Sequence, residues 1–190
     1  LDGELQIMFE ELDTEITYDE ISKAITSLNP NKSAGPDLFI NEFFIHGKAN
    51  FLGYFHKLFN TCLNTGYFPK LWSEGFIVPI PKIVNVNDVS NYRGISRLSS
   101  LGKLFTRILN TRLDAWAKNC FVYIEAQAGF RRGRGTLDNT FILQNMINHC
   151  LENGKKLYCA FVDFRKAFDY VVRDILWFKL FRYGVRGNIM

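Results

Sequence analysis

Apolar positions recur at helical spacing over most of the chain and at strand-like spacing only in short stretches. Ile21, Ala24, Ile25 and Leu28 fall at i, i+3, i+4 and i+7, one face of a helix. Thr17-Tyr18-Asp19-Glu20 before them is a capping box, in which the Thr17 hydroxyl caps the helix and Glu20 reaches back. Asn29-Pro30 ends this helix. Phe51, Leu52, Phe55, Leu58, Phe59, Cys62 and Leu63 mark a second helix closing near Gly66. A third places Leu101, Leu104, Phe105, Ile108, Leu109, Leu113 and Trp116 toward a core and offers Lys103, Arg107 and Arg112 on its other face. A fourth, capped by Thr136, carries Phe141, Leu143, Met146, Ile147, Cys150 and Leu151. It is broadly apolar, so it is expected to be largely buried.

The strand signals are fewer. Gly75–Lys82, GFIVPIPK, alternates and is β-rich, but Pro79 and Pro81 cannot both donate to a central ladder, which predicts an edge strand or hairpin arm. Ile83–Arg97 reads as a loop. Asn153-Gly154 is a turn, Leu157–Asp163 a short apolar strand, and Asp169–Tyr183 a helix ending at Gly184. This helix–turn–strand–helix order resembles the opening of a βαβ-type unit. No internal repeat or low-complexity linker interrupts the chain.

Composition narrows the class. With 190 residues, 47% hydrophobic and 15% aromatic, the chain can bury a core in one domain or two subdomains. No stretch approaches the run of about 18 apolar residues that spans a bilayer. The acidic start, LDGELQIMFEELD, does not read as a signal peptide, and with no initiator Met the chain is expected to be a piece of something longer. An intracellular protein, nuclear or cytoplasmic, is expected, with no membrane and no obligate protein partner. Charge is mild, 23 basic against 19 acidic residues, but Arg131, Arg132 and Arg134 crowd into the loop Gln127–Gly135, QAGFRRGRG. The loop Asn31–Asp37, NKSAGPD, exposes backbone N–H groups and Lys32. Cys62, Cys120, Cys150 and Cys159 show no CxxC spacing and read as buried free thiols in a reducing compartment. His46, His56 and His149 form no metal-binding constellation.

Candidate chemistry gathers near Leu157–Val171, LYCAFVDFRKAFDYV. A charge at the end of an apolar strand needs a partner, and oxygen-only ligation there suits Mg²⁺ in phosphoryl transfer. Asp163 is either such a ligand or a cap on the turn into the next helix; spacing leaves both open. Asp169 is favoured at a helix N-terminus in any case and is taken as structural or positioning. Phe168 reads as a core aromatic or as a wall against a sugar ring.

Five blocks in order resemble the reverse transcriptase domain of non-LTR (LINE-type) retrotransposons: ITYDEISKAITSLNPNKSAGPD, GYFPKLWSEGFIVPIPK, NYRGIS, QAGFRRGRGTLDN and CAFVDFRKAFD. The resemblance runs from about Ile16 to Gly184. It implies an α+β, right-hand polymerase fold: helical fingers with a short β-hairpin, then an incomplete antiparallel palm sheet. Residues 1–16 would be a lead, 17–98 the fingers, and 99–190 a fingers/palm region ending after polymerase motif A. By resemblance, Asp163 is the first metal-binding aspartate and the Phe164 carbonyl a second contact to the metal. Lys166 approaches the incoming triphosphate, and Phe168 becomes the aromatic steric gate that selects deoxynucleotides. Lys82 and Arg93 clamp the triphosphate, a Lys point charge and a planar Arg fork suited to that task. Gln127, Arg131, Arg132 and Arg134 lie near template and primer. The implied partners are an RNA template, a DNA primer and dNTPs, with two Mg²⁺ ions in the complete domain.

Several positions depart from the family's pattern. GPDG reads GPDL, placing Leu38 where a loop needs positive φ; ISLLS reads ISRLS, introducing Arg97; GRST reads GRGT, with Gly135. KAFDSV reads KAFDYV, with Tyr170, and Ile83 replaces a basic residue. Such scatter is what a decaying copy accumulates. The sequence holds no adjacent aspartates, so the Y/F-x-D-D block is missing, as is the thumb. The chain as given is expected to be inactive and, with an unpaired strand edge, to aggregate. The alternative is a non-catalytic remnant or nucleic-acid-binding pseudo-enzyme. A group II intron maturase or telomerase-type relative is a third candidate, which GRGTLDN and NYRGIS argue against.

Overall fold

A computed structural model describes residues 12–81 and 91–190. The described elements are α1 (Tyr18–Thr26), α2 (Asn41–His46), α3 (Lys48–Thr65), α4 (Lys70–Ser73), β1 (Gly75–Pro81), β2 (Tyr92–Leu98), α5 (Ser100–Asn119), α6 (Thr136–Glu152) and α7 (Arg173–Tyr183). The described residues fall into two units, one within 12–116 together with 184–190, and the other 117–183.

The first unit is built on its helices' apolar faces. The capping box at α1 forms as expected: Thr17 Oγ1 accepts from Glu20 N at 3.2 Å, and Thr17 N donates to Glu20 Oε2 at 2.8 Å. Ile21, Ala24 and Ile25 then face inward with Ile16. On α3 the predicted face buries Phe55, Phe59, Cys62 and Leu63, and Gly66 ends the helix at φ 67°. Phe51, Phe55 and Phe59 stack in succession at centroid separations of 5.6 Å, Phe44 meets Phe51 and Phe55 edge to face, and Trp72 and Phe105 close the series on Phe59. Rings spaced this way add to the area they bury. The buried Asn60 is fully used: its Oδ1 accepts from Ile16 N at 2.7 Å, and Nδ2 donates to the Ile16 and His56 carbonyls.

Arg112 is not on a free helix face. Its side chain is only 9% exposed, and its guanidinium donates to both Glu20 oxygens at 2.6 and 2.9 Å and to the Leu12, Thr14 and Glu15 carbonyls. A guanidinium has five donors in a rigid fork, which suits this crowded set of acceptors.

β1 forms where GFIVPIPK predicts a hairpin arm. Its antiparallel partner β2 lies inside the stretch that reads as a loop, with register Ile80↔Arg93, Val78↔Ile95 and Phe76↔Arg97. Tyr92–Leu98 is mixed in polarity because both its faces are largely exposed, so it lacks a buried-strand pattern. Pro79 and Pro81 are tolerated because the sheet has two strands.

The second unit departs further from the sequence reading. Residues 155–164 form no strand, and the described residues contain no palm sheet. An isolated apolar run cannot satisfy its backbone without a ladder partner, and none pairs with it here. α6 buries none of its residues, contrary to expectation, because no described segment covers its apolar positions. Thr136 opens α6 from inside, and Asp138 caps it by accepting from Gly135 N at 2.7 Å. The last helix starts at Arg173, after a turn spanning residues 165–170 that contains Asp169. Cys62 is buried as expected, Cys120 and Cys150 are half-buried, and Cys159 is exposed.

Candidate functional site

In the second unit the segment around Asp163 is irregular and open. Asp163 is exposed, and no hydrogen bond or ion pair among the described residues holds its carboxylate. The Phe164 carbonyl follows directly. The chain then turns, with Asp169 N donating to Lys166 O at 2.9 Å and Lys166 at φ 50°, a conformation costly for a residue with a side chain. Phe168, 77% exposed, meets Phe130 edge to face at 5.8 Å and 89°. The turn bearing Lys166 and Phe168 is thereby brought against the QAGFRRGRG loop.

That loop is folded on itself. Arg131 NH1 donates to the Ile124 and Gln127 carbonyls at 3.1 and 3.4 Å, and its guanidinium sits 5.3 Å from the Tyr123 ring centroid. Glu125 pairs with Arg134 and lies 3.9 Å from Arg131. Two of the three arginines thus have their charge met within the loop. Arg132 and the Gln127 side chain are exposed and have no such partner among the described residues.

A lone carboxylate beside a backbone carbonyl does not hold Mg²⁺ on its own. The described residues contain no group of three His, Cys, Asp or Glu side chains placed to hold a metal. Asp163 and Phe164 therefore fit one side of a metal site and no more.

A second feature lies within the first unit. The loop Asn31–Asp37 is pinned to the junction of β2 and α5. Arg97 Nε and NH2 donate to the Ala34 carbonyl at 3.1 and 2.6 Å, and Ser99 Oγ donates to Asp37 Oδ2 at 2.6 Å while accepting from Gly102 N. Gly35 approaches so closely that a Cβ there would overlap the Leu98 carbonyl group. Between this loop, the hairpin and α5 opens a cleft of about 890 Å³. Lys32, Arg97, Lys103 and Arg107 line it, together with Asn29, Asn41 and Asn110, and no Asp or Glu among the described residues does. Arg107 spends donors on Ser27, through its carbonyl and hydroxyl, whereas Lys32 and Lys103 are exposed and unpaired among the described residues.

Arg93 shares this setting. Side chains alternate along a strand, so Arg93, Ile95 and Arg97 project from one face of β2, and Ile95 and Arg97 line the cleft. Lys82 lies outside the described residues. Sequence reasoning named Lys32, Lys103 and Arg107 individually but not as a group, and it missed Asn110 and Asn41. The available signal was the polar stripe Lys103, Thr106, Arg107, Asn110 at i, i+3, i+4, i+7 on α5.

Residues 80–190 match the family described as reverse transcriptase (RNA-dependent DNA polymerase). Among curated proteins, the RNA-directed DNA polymerase from mobile element jockey of Drosophila melanogaster is 32% identical over 165 residues, 86% of this chain and 18% of that protein. The probable RNA-directed DNA polymerase from transposon BS of the same fly is 31% identical over 84% of this chain and 18% of its own length. The Pol polyprotein from type-1 retrotransposable element R2 of Popillia japonica is 34% identical over 63% of this chain and 16% of its own. The chain thus spans less than a fifth of these relatives. A family match over more than half the chain, with mobile-element relatives along most of it, places this chain in the reverse transcriptase family, among those of non-LTR retrotransposons.

Proposed function

We propose that this chain is the fingers and first palm portion of an RNA-templated DNA polymerase. In that polymerase a primer 3′-hydroxyl attacks the α-phosphate of a deoxynucleotide and pyrophosphate leaves. Residues 17–98 would be fingers, and residues 99–190 fingers running into palm, within a right-hand fold. The observation that carries the reading is Asp163. An exposed carboxylate with no neutralising partner stands inside the matched region, followed by a strained turn that presents Lys166 and Phe168. Asp163 would be the catalytic carboxylate, one protein ligand of a divalent metal together with the Phe164 carbonyl. Mg²⁺ is the expected ion, and these two groups would supply only one side of its coordination. Phe168 would wall off a 2′-hydroxyl; its ring is 77% exposed and meets Phe130 edge to face, which leaves a face open to a sugar. Lys166, Lys82 and Arg93 would each serve the incoming triphosphate, a role the family resemblance suggests for them. Among the loop residues, Arg132 and Gln127 are free to meet template or primer, while Arg131 and Arg134 shape the loop.

The partners proposed are an RNA template, a DNA primer and dNTPs in an intracellular, nuclear or cytoplasmic, setting. Among the described residues no helix is long and apolar enough to cross a membrane. One experiment tests the assignment directly. This chain replaces the matched 165 residues in the jockey polymerase, and the chimera is given an RNA template, a primer and dNTPs. Template-dependent extension is the expected result. A folded chimera that binds template and primer yet adds no nucleotide would favour the non-catalytic remnant instead.

A further inference from the structure

We infer that Asp13 is a clasp that fastens the chain back onto the first unit after α7, and that it opens locally without unfolding that unit's core. Both carboxylate oxygens are engaged by consecutive backbone amides: Asn188 N donates to Oδ2 at 2.8 Å and Ile189 N to Oδ1 at 2.9 Å. Hydrogen bonds to an ionised acceptor are the stronger kind. Neighbouring N–H groups converge on one anion where the backbone beside them turns left-handed. Gly187 supplies that turn at φ 81°, and a Cβ there would fall on the Asp13 carboxylate. Met190 N closes the turn on the Gly187 carbonyl at 3.3 Å, and Val185 just before it is only 2% exposed.

The carboxylate is aimed by the segment that carries it. Arg112 on α5 takes the Leu12, Thr14 and Glu15 carbonyls, and Asn60 on α3 takes both backbone groups of Ile16. The backbone is therefore held on either side of Asp13, and its side chain is left to hold another part of the chain. The chain leaves the first unit after Trp116, about one helical turn past Arg112, and rejoins it at Gly184. Arg112 thus anchors the backbone beside Asp13 within a turn of the exit, while Asp13 secures the return. Residues 117–183, which carry Asp163, form an excursion whose two ends both belong to the first unit. The entropy of closing a long loop grows only slowly with its length, so two charge-assisted hydrogen bonds and one buried valine can hold it. Val185 is the one residue of 184–190 that is fully buried, so this contact lies at the low-stability end and can part from the core. The clasp is independent of the polymerase reading.

Hydrogen exchange of the 190-residue chain, read amide by amide by NMR, tests the clasp. In the parent, the Asn188 and Ile189 amides should exchange at least about tenfold more slowly than those of residues 155–172, yet faster than those of α3. Asp13→Ala should speed both amides by at least about tenfold, while the α3 amides and the thermal midpoint stay close to the parent's. Asp13→Asn keeps one acceptor oxygen and no charge, so its effect should be intermediate. Gly187→Ala keeps the carboxylate but bars the turn, so it should release the same two amides even if the Asp13 variants fold poorly. Three results would overturn the inference: no protection of Asn188 and Ile189 in the parent, unchanged exchange there in Asp13→Ala and Gly187→Ala, or loss of α3 protection in step with these amides in both variants.

Discussion

At the scale of single residues, Leu38 shows how a departure from a family pattern becomes a measurable strain. It follows the turn closed by Leu38 N donating to Gly35 O at 3.1 Å, sits at φ 61°, and is 79% exposed. A left-handed conformation costs an ordinary residue about 1–2 kcal/mol, and an exposed leucine recovers little of it by packing. Leu38→Gly should therefore stabilise the first unit by about 1 kcal/mol in urea unfolding, and a drop in stability would refute the strain. Glu20 makes a second prediction. Burial works to raise its pKa, but the Arg112 hydrogen bond, the Thr17 N–H and the Arg112 charge outweigh it and hold the carboxyl below its ordinary value of 4.5. A folded-state pKa below the unfolded one stabilises the protein above the unfolded value, and that stability disappears as pH falls through the folded one. The stability gap between the parent and Glu20→Gln should be widest near neutrality and close on acidification below about pH 4.5; a gap that widens in acid would contradict the sign. The capping box was legible because its partners lie three residues apart. The Arg112 cluster was not, because Glu20 is 92 residues away and nothing local marks it.

Among elements, the contrast lies between structure set by local pattern and structure set by a partner. α1, α3 and α5 form where the 3.6-residue period places them, since one apolar face and a cap suffice. β2 reads as loop in the sequence because its residues alternate without a buried face; only pairing with β1 makes it a strand. The stretch Leu157–Asp163 fails in the opposite direction, apolar enough for a strand but with no ladder to join. The Asn31–Asp37 loop is likewise set by its surroundings, since Gly35 fits only because it has no side chain. Gly35→Ala would drive a Cβ into the Leu98 carbonyl group, so backbone must move. The variant should cost about 2 kcal/mol or more of first-unit stability by chemical denaturation. A neutral result would mean that the loop is not seated on β2.

For the whole molecule, order should follow burial. The first unit contains a connected core from Ile16 to Ile108, whereas in the second unit α6 and α7 bury none of their residues and Phe161 is 85% exposed. Hydrogen exchange on the isolated chain should show slow amides in α3 and α5 and fast ones across residues 155–172. Equal protection in both regions would show that the second unit orders itself. The family was legible in the sequence because five short blocks keep their order. Spacing left Asp163 as ligand or cap and Phe168 as core or wall, and the roles proposed for Asp163, Lys166 and Phe168 come from the family resemblance; the Phe130 packing and the internal pairing of Arg131 and Arg134 depend on how the chain folds back and had no local signal.

Asp163 is proposed as the catalytic carboxylate, and single-nucleotide incorporation by the jockey chimera tests that role. Asp163→Asn preserves shape and removes charge. If the carboxylate stabilises the reacting phosphate centre by even about 3 kcal/mol, its removal should slow incorporation by at least about 100-fold while template and primer binding stay unchanged. Incorporation by the Asp163→Asn chimera within a few-fold of the unchanged chimera would show that this carboxylate is not catalytic.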